Sequence, residues 1–536
     1  MSLRSHLTVL ETSASLYSSL PAFRLPQVDA ESGQVTQWRP VTYNQFQSDV
    51  ELFARYWAQT LKTDGIPRRS VVGLWLSGMT YNDVLHIYGM SRAGYVPQLF
   101  SLRLPNPTVI FELLCEAGAK ALVYDTSFAS ILSNSPVPTH LALAMDKMDG
   151  LDPLPEMPLY RGDQLVFVMH TSGSTSGSPK LVPCNATWLD AIVNKACQIG
   201  RPRDTTRQDV CVWMGSMCHI AQQCTLLGSL QHGSCTIQPT KIVFSPEELM
   251  DMIVRCHMNR LNQFAGFLAS NIRVSRQNPK LLTFLQSLDE ISYSGLPLPE
   301  DDEAWAYSQG LRLKNVFGST ECGPMLLSIG GKGRNARLLR PLEGVSYGFS
   351  PIDPPTPSES AYQSTGRMLE LVIFSESRDC PALHMRRADG HFHTGDLFQE
   401  VSPGHYISRG RNDDWIKSDN GLRCDTKSIE ENVRKTCAHL VEECIVVGSG
   451  RSSPTLFVEA ASDIDHNKLK KEIIRRTRLF HSRRYLHERI TSPDFVIVVP
   501  SKSLPRTATK GNIRRKTIFI AFHRIILPHY LLRPCY

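Results

Sequence analysis

Apolar residues recur along the chain with two different periods, which together predict alternating helices and strands. In residues 41–61 they lie three to four positions apart, which places them on one face of a helix. The apolar positions of this helix are Phe46, Val50, Phe53 and Trp57. The run VVGLWLS (71–77) is short and apolar, as buried strands are, and the helix after it is expected to end at Gly94. Because such segments alternate up to about residue 320, the pattern favours parallel α/β layers.

The pattern changes after a Pro- and Ser-rich loop at residues 351–360. Shorter strand-like pieces follow, among them RMLELVIF, and they predict a β-rich subdomain. From about Arg411 the chain becomes charged, and helical segments such as TKSIEENVRKTC alternate with strand-like ones such as EECIVVGS. We therefore predict an α/β protein. A large multi-layer N-terminal domain (1–410) would include the β-rich subdomain, and a small α+β domain (411–536) would follow it.

Composition narrows the class of protein. The chain has 536 residues and 42% of them are hydrophobic, which is ample for a large core and too long for one ordinary domain. The N-terminus lacks the apolar segment of a secretory signal, and no uncharged apolar run approaches about 18 residues, so no membrane span is expected. The 14 Cys match no common zinc spacing. Free thiols in a reducing compartment, the cytoplasm, are the expectation.

Positive charge is concentrated near the C-terminal end of the chain. Residues 466–516 contain 15 Lys and Arg against three acidic residues. No aromatic interleaving or nucleic-acid reader motif accompanies these charges, so a solvated basic surface is expected rather than a nucleic-acid site. A basic face for a phosphorylated partner or substrate is the alternative.

A loop of small hydroxylated residues and glycines follows an apolar strand within MHTSGSTSGSPKLV (169–182). Such a loop can wrap its backbone N–H groups around a phosphate, its hydroxyls can donate hydrogen bonds, and a lysine adds a positive charge. The candidate phosphate-binding residues are Thr171, Ser172, Gly173, Ser174, Thr175, Gly177 and Lys180. Composition alone also allows a plain linker.

Four further stretches occur in a fixed order after this loop. They are NVFGSTECG (315–323), HTGDLF (393–398), SRGRNDDWIKSDNG (408–421) and LPRTATKGNIRRKT (504–517). With the loop, they resemble the signatures of the adenylate-forming, AMP-binding enzymes, which include acyl-CoA synthetases, luciferases and nonribosomal peptide synthetase (NRPS) adenylation domains. The resemblance spans roughly residues 40–517, and the phrases NDDWIKS and CDTKSIEENVR are most similar to fungal NRPS-like enzymes and adenylate-forming reductases.

The resemblance implies a reaction in two steps. ATP and a carboxylic acid give acyl-AMP and pyrophosphate with the help of Mg²⁺, and a thiol of CoA or phosphopantetheine then takes the acyl group. A stand-alone acyl-CoA ligase of secondary metabolism is our first hypothesis. An adenylation unit that loads a carrier protein in trans is the first alternative, and an inactive homologue acting as a binding or scaffold module is the second.

Within the NVFGSTECG stretch, the resemblance assigns three residues to the nucleotide. Phe317 would stack on adenine, with a core aromatic as the alternative, Thr320 would contact phosphate, and Glu321 would ligate Mg²⁺. A carboxylate is a hard oxygen ligand, and Mg²⁺ is usually held by one or two carboxylates plus substrate phosphates.

The later stretches supply the remaining nucleotide contacts and the catalytic cation. Asp396 and Arg411 would bind the ribose, and Asp413 corresponds to the family's hinge between the two domains. Lys510 would bridge the substrate carboxylate and the α-phosphate, a role that suits a compact cation reaching into a cleft. By the same resemblance the C-terminal domain is mobile, since it rotates between the two steps.

The sequence indicates fewer residues for the acid-binding pocket than for the nucleotide site. His219 corresponds to a position beside the substrate carboxylate, and Gly295 would let the ligand approach the backbone closely. No aspartate suited to an α-amino group lies near VWMGSMCHI, which favours a plain carboxylic acid over an amino acid.

Two motifs depart from the family pattern. An additional Ser176 lengthens the phosphate loop by one residue, and Lys510 precedes Gly511 where the family commonly has glycine before lysine. The segment after Lys516 resembles neither a carrier nor a reductase domain, so we expect a chain without either.

Overall fold

A computed structural model describes residues 3–100, 104–144, 150–171, 179–331, 335–352, 368–411, 416–419, 422–461, 464–505, 515 and 518. The chain forms two compact units. The large unit comprises Met1–Leu102, Phe111–His170 and Leu181–Gly410. The small unit comprises Arg103–Ile110, Thr171–Lys180 and Arg411–Tyr536.

Helices occur in both units. The α-helices are α1 (His6–Tyr17), α2 (Tyr43–Thr63), α3 (Tyr81–Arg92), α4 (Pro107–Glu116), α5 (Ala186–Gly200), α6 (Ile220–Gln231), α7 (Pro246–Arg255), α8 (Ala265–Ser275), α9 (Pro279–Ser287), α10 (Glu300–Ser308), α11 (Thr426–Thr436) and α12 (His466–Ser482).

Strands alternate with these helices. The first twelve are β1 (Pro21–Val28), β2 (Val35–Thr42), β3 (Val71–Trp75), β4 (Val96–Phe100), β5 (Ala121–Tyr124), β6 (Thr139–Leu141), β7 (Leu165–Thr171), β8 (Lys180–Asn185), β9 (Val210–Val212), β10 (Cys235–Ile237), β11 (Arg260–Phe264) and β12 (Glu290–Ser294). The next twelve are β13 (Leu313–Ser319), β14 (Gly323–Ser328), β15 (Leu339–Pro341), β16 (Tyr347–Pro351), β17 (Met368–Ile373), β18 (Phe392–Ser402), β19 (His405–Arg411), β20 (Ile416–Lys417), β21 (Arg423–Cys424), β22 (Val441–Val447), β23 (Thr455–Ala460) and β24 (Val496–Val499).

The predicted α/β fold class is confirmed. One sheet has the order β6-β5-β3-β4-β7-β8, and its pairs β3–β4, β3–β5 and β4–β7 are parallel. The longest sheet has the order β16-β17-β18-β19-β15-β14-β13-β12-β11-β9-β10-β1-β2. Strands β9, β11, β12 and β13 of this sheet run parallel, whereas β13–β14 and β16–β17–β18 are antiparallel. Parallel layers therefore give way to a β-rich part near residue 320, as the sequence predicts.

The small unit contains its own sheet and core. Strands β22, β23 and β24 pair in that order, and β22–β23 is antiparallel while β23–β24 is parallel. Apolar residues of α11 and α12, such as Ile429 and Leu469, are fully buried with residues of this sheet. This α+β arrangement agrees with the pattern read from about residue 411 onward.

The helix predicted from the apolar period is α2. It is capped by Thr42, whose side chain accepts a hydrogen bond from the N–H of Gln45, and all four predicted apolar positions are buried. Fully burying side chains of this size contributes about 2–3 kcal/mol each. The apolar stripe of α2 thus holds the helix against the core of the large unit.

The first 42 residues contain structure that the pattern did not predict. Helix α1 begins with a capping box between Ser5 and Thr8, and its many Ser and Thr residues weaken the apolar period. Strands β1 and β2 then form an antiparallel pair. Among the described residues, no helix combines the length and the apolar content that crossing a bilayer requires.

Candidate active site

Several predicted site residues lie where parallel strands of the large unit end. Phe264, at the end of β11, pairs with Ser294 at the end of β12, and Ser294 pairs with Val316 in β13. Gly295 directly follows β12 with φ of +91°, a left-handed conformation that favours glycine. Ligands of open α/β sheets bind at the carboxyl ends of the strands, so this edge is the expected position of a nucleotide.

Glu321 occupies the middle of a three-residue turn between β13 and β14, flanked by Thr320 and Cys322. Gly323 ends the turn with φ of +64°. The hydroxyl oxygen of Ser319 accepts a hydrogen bond from the N–H of Cys322 at 3.3 Å. Local geometry therefore projects the Thr320–Glu321 pair from the carboxyl end of a parallel strand.

Glu321 is half-buried, and its carboxylate has no partner within the described part of the chain. Among the described residues, no side chain or N–H group donates a hydrogen bond to it and no cation forms an ion pair with it. Within the same residues, no group of three His, Cys, Asp or Glu side chains is arranged to hold a metal ion by itself. One free carboxylate fits Mg²⁺ bound largely through substrate phosphates and water.

Phe317 connects this turn to the β-rich part of the large unit. Its ring lies 5.0 Å from that of Phe398 at an interplanar angle of 80°, an edge-to-face contact. Strands β13 and β18 are separated by β14, β15 and β19 in the sheet order, so the contact brings distant strands together. Phe317 is only half-buried, and it packs against the apolar cluster of the β-rich part. It is therefore a packed aromatic that also leaves part of its ring accessible.

Asp396 lies in a bulge of β18, two residues before Phe398. The hydroxyl of Thr394 donates to the carbonyl of Leu371 at 2.9 Å and accepts from the N–H of Asp396 at 3.0 Å. The N–H of Gly395 donates to the Glu370 carboxylate at 3.0 Å. Asp396 is buried, with 2% of its surface exposed. The bulge thus fixes the backbone around this acid within the large unit.

His219 caps helix α6 and contacts the end of β11. Its Nδ1 accepts a hydrogen bond from the N–H of Ala221 at 3.2 Å, so the neutral ring carries its proton on Nε2. The ring lies 5.7 Å from that of Phe264 at 85°. Burial lowers the pKa of His170 to about 4, and the nearby charge of His219 lowers it as well. The two histidines therefore lie close enough for the charge of one to affect the other.

The remaining predicted residues either belong to the small unit or lie outside the described residues. Thr171 ends β7 and is half-buried, Lys180 begins β8 and is exposed, and both group with the small unit. Other predicted positions lie outside the described residues, namely Ser172, Gly173, Ser174, Thr175, Ser176, Gly177, Asp413, Lys510 and the side chain of Arg411.

Helix α5 supplies contacts that the sequence analysis missed. Trp188 Nε1 donates to the main-chain carbonyl of Glu321 at 2.9 Å. Lys195 Nζ donates to the carbonyl of Cys322 and lies 2.5 Å from an oxygen of Asp379. A lysine among the apolar residues of ATWLDAIVNKACQIG is the signal that could have revealed this contact.

The opposite, amino ends of the same strands carry a buried ion network. Glu290, the first residue of β12, lies 3.1 Å from Lys314, 3.2 Å from Arg203 and 3.7 Å from Arg260. Arg260 in turn lies 3.2 Å from Asp209. Burial alone would raise the pKa of Glu290, but the neighbouring cations hold it below its ordinary value. The charges at this edge therefore neutralise one another.

This chain belongs to the family of AMP-binding enzymes. The family model described as AMP-binding enzyme matches residues 13–362, and the AMP-binding enzyme C-terminal domain matches residues 413–531.

Individual relatives agree with this assignment. The AMP-binding domain-containing enzyme iboA of Amanita muscaria is 35% identical over 519 residues, which cover 94% of this chain and 98% of iboA. Fungal adenylate-forming reductases also match, and this chain spans less than half of their length.

Solved structures share the fold at low identity. The o-succinylbenzoate CoA synthetase MenE of Bacillus subtilis is similar with a TM-score of 0.69 and 18% identity, covering 96% of this chain and 98% of MenE. The NRPS protein PA1221, which contains adenylation and PCP domains, has a TM-score of 0.71 and 15% identity, covering 97% of this chain and 84% of PA1221.

Proposed function

We propose that this chain is an AMP-forming acid–thiol ligase that activates a carboxylic acid with ATP and transfers the acyl group to CoA. We further propose that residues 1–410 form the nucleotide- and acid-binding domain and that residues 411–536 carry the catalytic lysine. Membership of the AMP-binding family supports the use of ATP. A role in secondary metabolism is supported by the similarity to fungal relatives.

The proposed reaction balances in two displacements. A carboxylate oxygen of the acid attacks the α-phosphorus of ATP, the bond from this phosphorus to the bridging oxygen breaks, and pyrophosphate leaves. The thiol sulfur then attacks the acyl carbon, the bond to the AMP oxygen breaks, and the thiol proton passes to solvent. The first step brings negative charges together, so donors and cations around the phosphates lower its barrier.

The observation that carries this proposal is that the Glu321 carboxylate has no hydrogen-bonding or ion-pairing partner among the described residues. A half-buried acid at the carboxyl edge of parallel strands, to which no side chain of the described residues binds, is suited to one ligand bond to Mg²⁺. The ion would neutralise phosphate charge during adenylation. Thr320, adjacent in the turn, would donate its hydroxyl to a phosphate oxygen.

The neighbouring residues suit the other parts of the substrate. We assign the adenine to the exposed part of the Phe317 ring and to the close backbone approach that Gly295 permits. The ribose hydroxyls would donate to Asp396, with Arg411 as a second contact. His219, with its Nδ1 engaged by the helix cap, would donate from Nε2 to the acid's carboxylate.

Two assignments rest on the resemblance of motifs alone. The hydroxyl-rich loop would hold the departing β- and γ-phosphates, with Lys180 adding positive charge. Lys510 would bridge the acid and the α-phosphate in the adenylating arrangement.

A second candidate function is the loading of a carrier protein in trans. The similarity to PA1221, which contains adenylation and PCP domains, favours it. The two candidates differ only in the acceptor, because phosphopantetheine presents the same thiol on CoA and on a carrier.

Exchange of labelled pyrophosphate into ATP across a panel of carboxylic acids tests the proposal. We expect acid-dependent exchange with a plain carboxylic acid, and thioester formation with CoA. Thioester formation only with an added holo-carrier would replace the first candidate by the second. Absence of exchange with every acid would contradict both and leave a binding or scaffold role.

The Lys510→Ala variant tests the lysine assignment separately. It should lose acyl-AMP formation by at least about 10²-fold, because the bridging charge is removed, yet still transfer a preformed acyl-AMP to the thiol. Adenylation at the wild-type rate would show that Lys510 has another role.

A further inference from the structure

Helix α5 touches the Glu321 turn at three positions on one face. Trp188 donates to the carbonyl of Glu321, and Lys195 donates to the carbonyl of Cys322, the next residue. Between them, Ile192 lies so close that a Cβ at Gly323 would be 2.6 Å from its Cδ1 atom. These three helix positions are spaced i, i+4 and i+7, which is a single stripe along the helix.

Lys195 is itself held by a buried polar network. Its side chain is 1% exposed, as is that of Asp379, and Tyr347 lies 3.4 Å from its Nζ. Tyr347 also donates to Asp379, and Ser377 donates to the other carboxylate oxygen of Asp379 at 2.6 Å. The three N–H groups of Lys195 thus have three acceptors, namely a carboxylate, a hydroxyl and the Cys322 carbonyl.

The electrostatics keep the Asp379 carboxylate charged. Burial alone would raise the pKa of Asp379, but Lys195 and the hydrogen bonds from Ser377 and Tyr347 hold it below its ordinary value. A second ion pair joins the same segment to α5, because Arg378 lies 2.9 Å from Asp190. The loop at 377–379 is therefore fixed to the helix through charges of both signs.

Stability alone does not require a lysine at this position. A buried ion pair is often no more stabilising than apolar residues of the same volume, because two charges lose their hydration. An apolar residue at position 195, however, could not donate to the Cys322 carbonyl. The lysine therefore provides an oriented donor in addition to packing.

We propose that Lys195 and Trp188 are positioning residues that fix the backbone of the turn so that the Glu321 carboxylate is presented to the metal–nucleotide complex. Both donors bind main-chain carbonyls, so neither of them occupies the Glu321 carboxylate. This inference rests on the proposed function, since it concerns the same acid.

Binding of Mn²⁺·ATP, measured by electron paramagnetic resonance, tests the proposal without turnover. We expect Lys195→Met to weaken this affinity about tenfold, the lower end of the effect seen when residues supporting metal ligands are replaced. Lys314→Met is the matched control, because Lys314 is also a buried, ion-paired lysine but lies at the amino ends of the strands. It should lower the unfolding temperature and leave the affinity within about twofold.

A double variant separates positioning from stability. Lys195→Met/Asp379→Leu removes the carboxylate that the single variant leaves unpaired, so the unfolding temperature should recover while the affinity stays weak. If the unfolding temperature and the Mn²⁺·ATP affinity both recover, the network has only a structural role. If Lys195→Met does not fold, Trp188→Phe removes one donor and should weaken binding about threefold; unchanged affinity there would also overturn the proposal.

The outcomes distinguish this inference from the proposed function. Suppose that the wild-type protein exchanges pyrophosphate and binds Mn²⁺·ATP, and that the variants bind it with the same affinity. This result would reject the positioning role and leave the proposed function in place. Wild-type protein that does not bind Mn²⁺·ATP would reject both.

Discussion

The two ends of the same parallel strands differ in how their acidic residues are paired. At the amino ends, the Glu290 carboxylate lies within 3.7 Å of three cationic side chains of the protein. At the carboxyl ends, Glu321 has no hydrogen-bonding or ion-pairing partner among the described residues, while its backbone is fixed by helix α5. Charges that serve the fold are neutralised internally, whereas a charge left unpaired on a fixed backbone is available to a ligand.

This comparison predicts opposite phenotypes for two glutamate substitutions, and Glu321→Gln should have the larger effect. The amide cannot replace a charged metal ligand, so the pyrophosphate exchange rate should fall by about 10²- to 10³-fold, or about 3–4 kcal/mol of activation free energy. The midpoint of thermal unfolding should stay within about 2 °C, because the side chain has no partner among the described residues to lose. A normal exchange rate with unchanged Mg²⁺ dependence would show that Glu321 does not hold the metal.

Glu290→Gln should show the reverse behaviour. Loss of this carboxylate leaves Lys314 and Arg260 buried with fewer counter-charges, so the free energy of unfolding should fall by about 3 kcal/mol. Urea unfolding followed by tryptophan fluorescence measures this, since six of the seven Trp lie in the large unit. The exchange rate of the folded fraction should remain within about twofold. A large fall in that rate would mean that the two edges are not independent.

The pH dependence of unfolding tests the same comparison, because folding lowers the pKa of Glu290. Because its pKa is lower in the folded than in the unfolded chain, its stabilising effect is complete well above the ordinary value of 4.5 and is lost as pH falls through the lower, folded value. The difference in unfolding free energy between wild type and Glu290→Gln should therefore be constant from pH 7 to about 5.5 and shrink below about 4.5. A difference that grows on acidification would contradict the ion-pair account.

Arg203→Ala should have the smallest effect. The Arg203 side chain is 35% exposed, so solvent screens its attraction to Glu290, and Glu290 keeps its other cations. We expect a loss of about 1 kcal/mol or less by the same urea measurement. A loss as large as that of Glu290→Gln would mean that the rim of the network is as important as its centre.

Much of this arrangement could be predicted from local sequence, because local forces determine it. The apolar period placed helix α2, and the alternation of strands and helices was expected to end near residue 320, where β13 in fact ends at Ser319. The comparisons with known proteins confirm the family that the ordered motifs predicted.

Long-range pairing could not be predicted in the same way. Lys195 and Asp379 are 184 residues apart, and the sequence around either residue does not indicate its partner. Likewise, the contact of Phe317 with Phe398 depends on how distant strands of one sheet approach each other. Such pairs follow from tertiary packing, whereas periodicity reports only on the element that carries it.

The central claim is that the metal–nucleotide complex binds at the carboxyl edge through Glu321. Anomalous diffraction from crystals of the full chain soaked with Mn²⁺ and ATP tests it most directly. We predict one anomalous peak at coordination distance, about 2.1 Å, from a Glu321 carboxylate oxygen. A peak bound elsewhere, with Glu321 uncoordinated while nucleotide is present, would contradict the account.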